Sequence, residues 1–184
     1  MRIIHKFQEI TYVFHGRRIG MKPALFVIDV QNKFFNYSQG CSDSLKSAIE
    51  YINAAIDLFR KKSYPIVIVQ HKDVEQDLVP GNTGFDVHQT VKLAPQDICI
   101  VKTYGNSFNK TELAEKLKEL GVDTVILSGF CAEFCVLSTY RGAEDLDFKP
   151  IILKGSLASD NPEHIRFVEE ISETISFGAL KTLL

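Results

Sequence analysis

A cysteine lies at the point where a predicted strand gives way to a predicted helix. The apolar run at residues 124–127 indicates a buried strand, the run breaks at Ser128-Gly129, and a helical pattern begins near Cys135. Backbone N–H groups and the dipole at a helix start favour negative charge, so we expect this position to lower the pKa of the thiol and to hold an oxyanion. Cys135 is therefore a candidate nucleophile. The alternative is a small buried hydrophobic residue.

Two more reactive side chains come at the ends of predicted strands. Asp29 ends the apolar run 25–28, and Lys102 ends the run 98–101. Ligands of open parallel sheets bind beyond the carboxyl ends of the strands, so both groups are expected on the same rim as the thiol. There Asp29 would take the thiol proton as a general base, and Lys102 would hold the carboxylate and favour the thiolate. The alternatives are a turn or cap role for Asp29 and a solvated ammonium for Lys102.

Short apolar runs alternate with amphipathic segments along the chain. Strands are predicted at residues 24–29, 65–70, 98–102, 124–128, 150–153 and 175–180. Their continuous Val- and Ile-rich composition is typical of strands covered on both faces. Helices are predicted at about residues 45–59 after a cap at 42–44, at 113–120, at 135–146 and after Asn161-Pro162. This order predicts an α/β fold, a three-layer α/β/α sandwich around a parallel sheet.

The composition fits one hydrophobic core. The chain has 184 residues, of which 45% are hydrophobic and 24% charged, with a formal net charge of −2. No basic stripe indicates a nucleic-acid partner, and no apolar run approaches the roughly 20 residues that span a membrane. Four unevenly spaced cysteines do not suggest a disulfide framework, which favours reduced thiols and a cytoplasmic location. No cofactor is predicted.

The first 20 residues differ from the rest of the chain. They show no clear periodicity, and Met21-Lys22-Pro23 then leads directly into the first predicted strand. We therefore expect residues 1–20 to be an N-terminal extension outside the core fold, and residues 21–184 to form a single domain.

From about Met21 onward the chain resembles the isochorismatase-like cysteine hydrolases, which include nicotinamidases, carbamoyl-group amidohydrolases and isochorismatases. The similar segments are residues 26–35, residues 102–108 and residues 129–143, and His164 lies where many members carry a histidine. The resemblance implies a Rossmann-like, six-stranded parallel sheet in the order 3-2-1-4-5-6. It also implies a catalytic triad of Asp29, Lys102 and Cys135, a non-proline cis peptide at Phe130–Cys131, and an oxyanion hole formed by the backbone N–H groups of Cys131 and Cys135.

The chain departs from the family pattern in two places. Residues 130–133 are Phe, Cys, Ala and Glu where many members have small residues and Thr-Asp, so Phe130 is expected to narrow the pocket, and Cys131 is either a filler or a redox partner. Nicotinamidases carry an Asp-x-His metal motif after the second strand, whereas this chain has the reverse order, His71-Lys72-Asp73. No metal site is predicted, which disfavours nicotinamide as substrate. His71 and His88 are instead expected to be loop residues near the pocket. The alternative is a metal site made from His71, Asp73 and His88.

Several side chains near the predicted rim are candidates for binding a small planar or apolar substrate. They are Gln31, Phe34, Phe108, Phe130 and Phe134. The alternative for each phenylalanine is a place in the core, and for Gln31 it is hydrogen bonding to the backbone.

The function predicted from these features is hydrolysis of a small amide or carbamoyl compound by a cysteine-dependent enzyme through a thioester. One alternative is a vinyl-ether hydrolase of the isochorismatase type, which needs no thiol nucleophile. Another is a non-catalytic member that binds a metabolite or a protein. The resemblance also implies a homo-oligomer, and the long connection at residues 71–97 is a candidate for the interface or for a functional loop.

Overall fold

The computed structural model describes residues 21–184. Of the preceding segment it describes only the antiparallel backbone pairing of Val13–Phe14 with Arg17–Arg18. The predicted N-terminal extension otherwise lies outside the described residues. Within the described part of the chain, no helix is both long and apolar enough to cross a membrane.

Six parallel strands form the central sheet. They are β1 (Pro23–Ile28), β2 (Ile66–His71), β3 (Ile98–Lys102), β4 (Thr124–Phe130), β5 (Lys149–Ala158) and β6 (Thr174–Ile175). Their order is β3-β2-β1-β4-β5-β6, which confirms the predicted topology. The central strands β1 and β4 are buried at every position, which explains their uninterrupted apolar sequences. The strand order reverses between them, so their carboxyl ends form the crevice where ligands of such sheets bind.

Helices cover both faces of the sheet. They are α1 (Gln39–Lys61), α2 (Leu113–Glu119), α3 (Leu137–Asp145), α4 (Pro162–Glu170) and α5 (Phe177–Leu183). Short helical segments of other types follow β1, a 3-10 helix at Asn32–Asn36, and β4, a π-helix at Ala132–Val136. Successive strand residues point to opposite faces, so β1 contributes to two cores. Leu25 and Val27 pack with α1 and α5, whereas Phe26 and Ile28 pack with α2, α3 and α4.

Two predicted boundaries were wrong because, in each case, a serine caps a helix that begins earlier in the chain than expected. Helix α1 begins at Gln39 rather than near residue 45, since the Ser38 hydroxyl accepts a hydrogen bond from Cys41 N at 2.9 Å. The last predicted strand, residues 175–180, has only its first residue in β6. Ser176 accepts a hydrogen bond from Ala179 N at 3.2 Å, and α5 begins at Phe177.

The long connection at residues 71–97 packs against its own chain. The side chain of Asn53, on α1, donates to Thr90 O at 2.8 Å. The backbone N–H of Asn32 donates to Asp86 O at 2.9 Å. These bonds tie the connection to α1 and to the 3-10 segment after β1, so it forms part of the core fold. A role at a subunit interface stays a prediction.

Candidate active site

Asp29 is the first residue after the central strand β1, and its side chain is 1% exposed. Its backbone has φ +52°, in the left-handed region that aspartate tolerates better than most residues, and its N–H donates to Val69 O of β2 at 2.9 Å. One carboxylate oxygen, Oδ1, is buried and has no hydrogen-bond partner among residues 21–184. The other oxygen is held by Lys102. The carboxylate therefore has one engaged oxygen and one oxygen free to accept a proton.

Lys102 reaches this carboxylate from the end of β3. Strand β2 lies between β1 and β3, so the long lysine side chain bridges the gap, with Nζ 2.7 Å from Asp29 Oδ2. The Lys102 side chain is fully buried. Removing one partner of a buried ion pair typically costs about 3–5 kcal/mol, because the remaining charge has no compensation. The ion pair is therefore a fixed feature of the folded state, and Lys102 is not a solvated surface lysine.

Cys135 approaches the same ammonium from the segment after β4. Lys102 Nζ donates to Cys135 Sγ at 3.2 Å, so one cation contacts both the carboxylate and the sulfur. The helical segment begins at Ala132 rather than near Cys135. Its π-helical character is seen in the hydrogen bond that Val136 N donates to Cys131 O, five residues earlier, at 3.1 Å. Cys135 thus lies within the first turn. The Phe130–Cys131 peptide bond is cis, as the family resemblance implied.

A glycine is required where β4 passes the end of β1. Gly129 has φ +114°, and a Cβ atom there would lie 2.1 Å from the backbone oxygen of Ile28. No side chain fits at this distance. The close approach of the two backbones brings the Cys135 segment beside Asp29.

The electrostatics of the three groups differ from the prediction in one respect. Burial and the Asp29 charge raise the pKa of Cys135 to about 12, against the opposing effect of Lys102. Burial likewise raises the pKa of Asp29, although Lys102 opposes this shift. The predicted lowering of the thiol pKa was therefore wrong for the resting state. One ammonium compensates one negative charge, so the carboxylate and the thiolate compete for it.

His71 is a fourth group at this centre, although the sequence predicted only a loop residue near the pocket. It ends β2, and its Nδ1 lies 3.4 Å from Lys102 Nζ. Its backbone is fixed by the buried Gln31 side chain, which accepts from His71 N at 2.8 Å and donates to His71 O at 3.1 Å. Gln31 Nε2 also donates to Phe85 O at 2.8 Å. The Gln31 amide thus binds backbone, the alternative to the predicted substrate contact.

The alternative metal site is not assembled. His71 faces Lys102, the Asp73 carboxylate accepts from Gln76 Nε2 at 2.8 Å within its own turn, and the His88 ring stacks on Phe35 at 4.0 Å. Among residues 21–184, no three histidine, cysteine or acidic side chains are grouped so that they could hold a metal ion.

The predicted aromatic pocket residues separate into different environments. The rings of Phe34 and Phe130 lie 4.9 Å apart, and both are nearly buried beside the Cys135 segment. Phe134 is 66% exposed. Phe108 stacks on Phe148 at 5.7 Å in the core, which is the alternative position considered for it. A cavity of about 410 Å³ lies at the amino ends of β2 and β3, at the opposite edge of the sheet from the reactive groups.

A second polar cluster surrounds Glu133, beside the thiol segment. Its carboxylate accepts from Cys131 Sγ and from the Ser159 hydroxyl, each at 2.9 Å, and lies 2.5 Å from His164 Nδ1. Burial alone would raise the pKa of Glu133, but the hydrogen bonds from these groups and from its own backbone lower it. Burial and the Glu133 carboxylate raise the pKa of Cys131. Cys131 is therefore a protonated thiol beside an anion.

Comparisons with known proteins agree with this architecture. The family model of the isochorismatase domain matches residues 23–169. The uncharacterised isochorismatase family protein YrdC of Bacillus subtilis is 32% identical over 140 residues, which cover 75% of this chain and 74% of that protein. Nicotinamidase 3 of Arabidopsis thaliana is 27% identical over 156 residues, 76% of this chain and 75% of that protein. The crystal structure of an isochorismatase-like hydrolase from Alkaliphilus metalliredigens superposes with a TM-score of 0.80 at 24% identity, covering 88% of this chain and 98% of the other.

Proposed function

Because this chain belongs to the isochorismatase family of hydrolases, we propose that it hydrolyses a small amide or carbamoyl compound through a thioester formed on Cys135. The observation that carries the proposal is the shared cation. The buried Lys102 ammonium contacts Asp29 Oδ2 at 2.7 Å and Cys135 Sγ at 3.2 Å. A base, a nucleophile and a compensating charge therefore meet at the switch point of the sheet, where ligands of this fold class bind.

The first step is a proton transfer within a site of constant charge. Asp29 accepts the Cys135 proton at its free Oδ1, and the sulfur becomes the anion that Lys102 compensates. The sulfur then attacks the substrate carbonyl carbon, forming a C–S bond and a tetrahedral oxyanion. The backbone N–H groups of Cys131 and Cys135 are the proposed donors to this oxyanion.

The remaining steps return the proton and release the products. Protonated Asp29 gives its proton to the leaving amine as the C–N bond breaks, which leaves a thioester on Cys135. Asp29 then takes a proton from a water molecule, whose oxygen attacks the thioester carbonyl carbon. As the C–S bond breaks, Asp29 returns this proton to the Cys135 sulfur, which releases the acid and restores the free thiol and the Asp29 carboxylate. Each step moves one negative charge from one group to another around Lys102, and the net charge of the site stays constant.

The raised pKa values suit this sequence of steps. A buried carboxylate with a raised pKa is a stronger base, so less free energy separates the neutral thiol from the thiolate than for an ordinary aspartate. The thiol itself is stored protonated, since its pKa is about 12. Nucleophilic character therefore arises when the substrate is in place rather than in the resting enzyme.

The experiment is a substrate screen with direct detection of the intermediate. Primary amides and N-carbamoyl compounds are incubated with the enzyme, ammonia release is measured, and quenched samples are mapped by mass spectrometry. The expected result is ammonia release together with an acyl mass on the peptide that contains Cys135. Ammonia release by the Cys135→Ala variant at the wild-type rate would contradict the proposal. No turnover of any compound in the screen, together with no acyl mass on the Cys135 peptide, would favour a non-catalytic binding role.

One observation favours a second candidate function. Burial raises the pKa of Asp29, and a protonated carboxylic acid is the group that a vinyl-ether hydrolase needs to protonate its substrate. Isochorismate is therefore included in the screen. A vinyl-ether hydrolase keeps its chemistry in the Cys135→Ala variant, whereas the thioester mechanism loses it.

A further inference from the structure

Lys102 is surrounded by as many acceptors as it has hydrogens. Its ammonium carries three N–H donors and no acceptor. Three atoms lie within reach of Nζ: Asp29 Oδ2 at 2.7 Å, Cys135 Sγ at 3.2 Å and His71 Nδ1 at 3.4 Å. The acceptors come from three segments of the chain, and the Lys102 side chain is fully buried, which leaves it little access to bulk solvent. The ammonium is therefore oriented by these groups.

The side chain of Gln31 fixes the backbone of His71 and so helps to position its imidazole. Gln31 binds both the backbone N–H and the backbone carbonyl of His71, at 2.8 and 3.1 Å, and Gln31 is anchored in turn on Phe85 O at 2.8 Å. Such a two-point clamp fixes the end of β2 and hence the distance from Nδ1 to Lys102. The mechanism proposed above uses neither residue.

The charge state of His71 suits an acceptor. Burial and the nearby Lys102 lower the pKa of His71, and the other charged groups that face it, Asp29 and Asp73, act in the opposite direction. The lowered pKa keeps the imidazole neutral near pH 7. In that state, with Nε2 carrying the hydrogen, Nδ1 offers a lone pair to the ammonium.

We propose that His71 is a positioning residue: its Nδ1 accepts one N–H of Lys102, and this keeps another N–H of the same ammonium directed at the Cys135 sulfur. Without that acceptor the ammonium can rotate, and the sulfur loses a fixed donor at the moment its negative charge develops. This inference rests on the proposed function, because the developing charge on sulfur is the thiolate of that mechanism.

A matched pair of variants separates the position of the acceptor from its polarity. In His71→Asn the side-chain oxygen lies near the position of Nδ1, whereas in His71→Gln it reaches further, toward the position of Nε2. His71→Leu removes the acceptor. We expect His71→Gln and His71→Leu to lose roughly 10- to 100-fold in kcat with little change in KM, as for a misplaced catalytic group. His71→Asn should retain most of the wild-type kcat.

A second measurement needs no substrate. Alkylation of Cys135 by iodoacetamide at pH 8 depends on the same donor, so it should slow in His71→Gln and His71→Leu and stay near the wild-type rate in His71→Asn. Thermal melts check that each variant folds. If His71→Leu does not fold, the comparison of His71→Asn with His71→Gln still tests the inference. Equal alkylation rates and equal kcat values for the Asn and Gln variants would overturn the inference. Failure of the thioester mechanism is seen separately, as turnover that survives in Cys135→Ala, and it leaves the alkylation comparison valid.

Discussion

Cys131 and Cys135 lie four residues apart on the same turn, and groups of opposite charge contact their sulfur atoms. Cys135 Sγ has the Lys102 ammonium at 3.2 Å, and Cys131 Sγ has the Glu133 carboxylate at 2.9 Å. Both side chains are partly buried and both pKa values are raised. Residue type, burial and resting protonation state therefore do not distinguish the two thiols. The sign of the neighbouring charge does.

The size of this difference supports Cys135 rather than Cys131 as the proposed nucleophile. Two unit charges 4 Å apart interact by about 4 kcal/mol at an effective dielectric constant of 20. This energy stabilises a thiolate at Cys135 and destabilises one at Cys131. At Cys135 the negative charge of Asp29 opposes this stabilisation, so Asp29 must be neutralised before Lys102 can compensate a charge on the sulfur. A general base that accepts the thiol proton meets this requirement.

Loss of the cation should have the largest effect. In Lys102→Met, Asp29 stays buried without its partner, and we expect the free energy of unfolding to fall by about 3–5 kcal/mol and turnover to be lost. Urea denaturation measures the first and ammonia release the second. The matched control is the double variant Asp29→Asn/Lys102→Met, which removes both charges and should recover part of the stability without activity. A single variant as stable as the wild type would mean that the ion pair does not hold this edge of the sheet.

Removal of the base should lower turnover but make the Cys135 thiol more acidic. Asp29 is negative and raises the pKa of Cys135, whereas Lys102 lowers it, so Asp29→Asn leaves only the lowering charge. The pKa of Cys135 should fall below about 12, and alkylation at pH 9 should accelerate. Turnover should fall by roughly 10²- to 10⁴-fold, the usual contribution of a general base. Alkylation that slows together with turnover would show that Asp29 activates the thiol in some other way.

The corresponding change at the second thiol, removal of its neighbouring carboxylate, should have a smaller effect on turnover. Glu133→Gln removes the negative charge that helps to raise the pKa of Cys131, so this thiol should ionise at lower pH and become easier to alkylate at pH 9. Peptide mapping distinguishes the two cysteines, and the exposed Cys99 serves as an internal reference. Turnover should fall only several-fold, because Ser159 and His164 lose a charged partner while Lys102, Asp29 and Cys135 keep theirs. An unchanged Cys131 reactivity would mean that burial alone suppresses it.

The sequence predicted the groups at this site better than their energetics. Asp29, Lys102 and Cys135 could be found because parallel strands end at one edge of a sheet, and their chemistry follows from residue type. The same reasoning applies to His71, which ends β2 between the strands that carry Asp29 and Lys102. Its contact with Lys102 was missed because the sequence predicted a loop residue near the pocket, whereas His71 is the last residue of β2.

The remaining differences depend on distances that no sequence pattern encodes. The direction of the Cys135 pKa shift depends on whether Asp29 or Lys102 acts more strongly on the buried sulfur, and this requires the folded geometry. The helical segment begins at Ala132 rather than near Cys135, because a π-helix does not follow the spacing of an α-helix. The strand predicted after residue 175 ends early because the local cap at Ser176 competes with an apolar run.

The smallest effect is expected from Cys131→Ala, and it decides between the two roles considered for this thiol. A filler in a partly buried position should change the free energy of unfolding by about 1 kcal/mol and leave turnover nearly unchanged. A redox partner would form a disulfide with oxidised Cys135, so that reductant restores peroxide-treated wild type but not the variant. Disulfide formation requires a thiolate to attack, and the carboxylate of Glu133 at 2.9 Å opposes ionisation of Cys131. Wild type and Cys131→Ala should therefore lose and regain activity alike after peroxide and dithiothreitol, whereas recovery confined to the wild type would show that Cys131 ionises despite its neighbour.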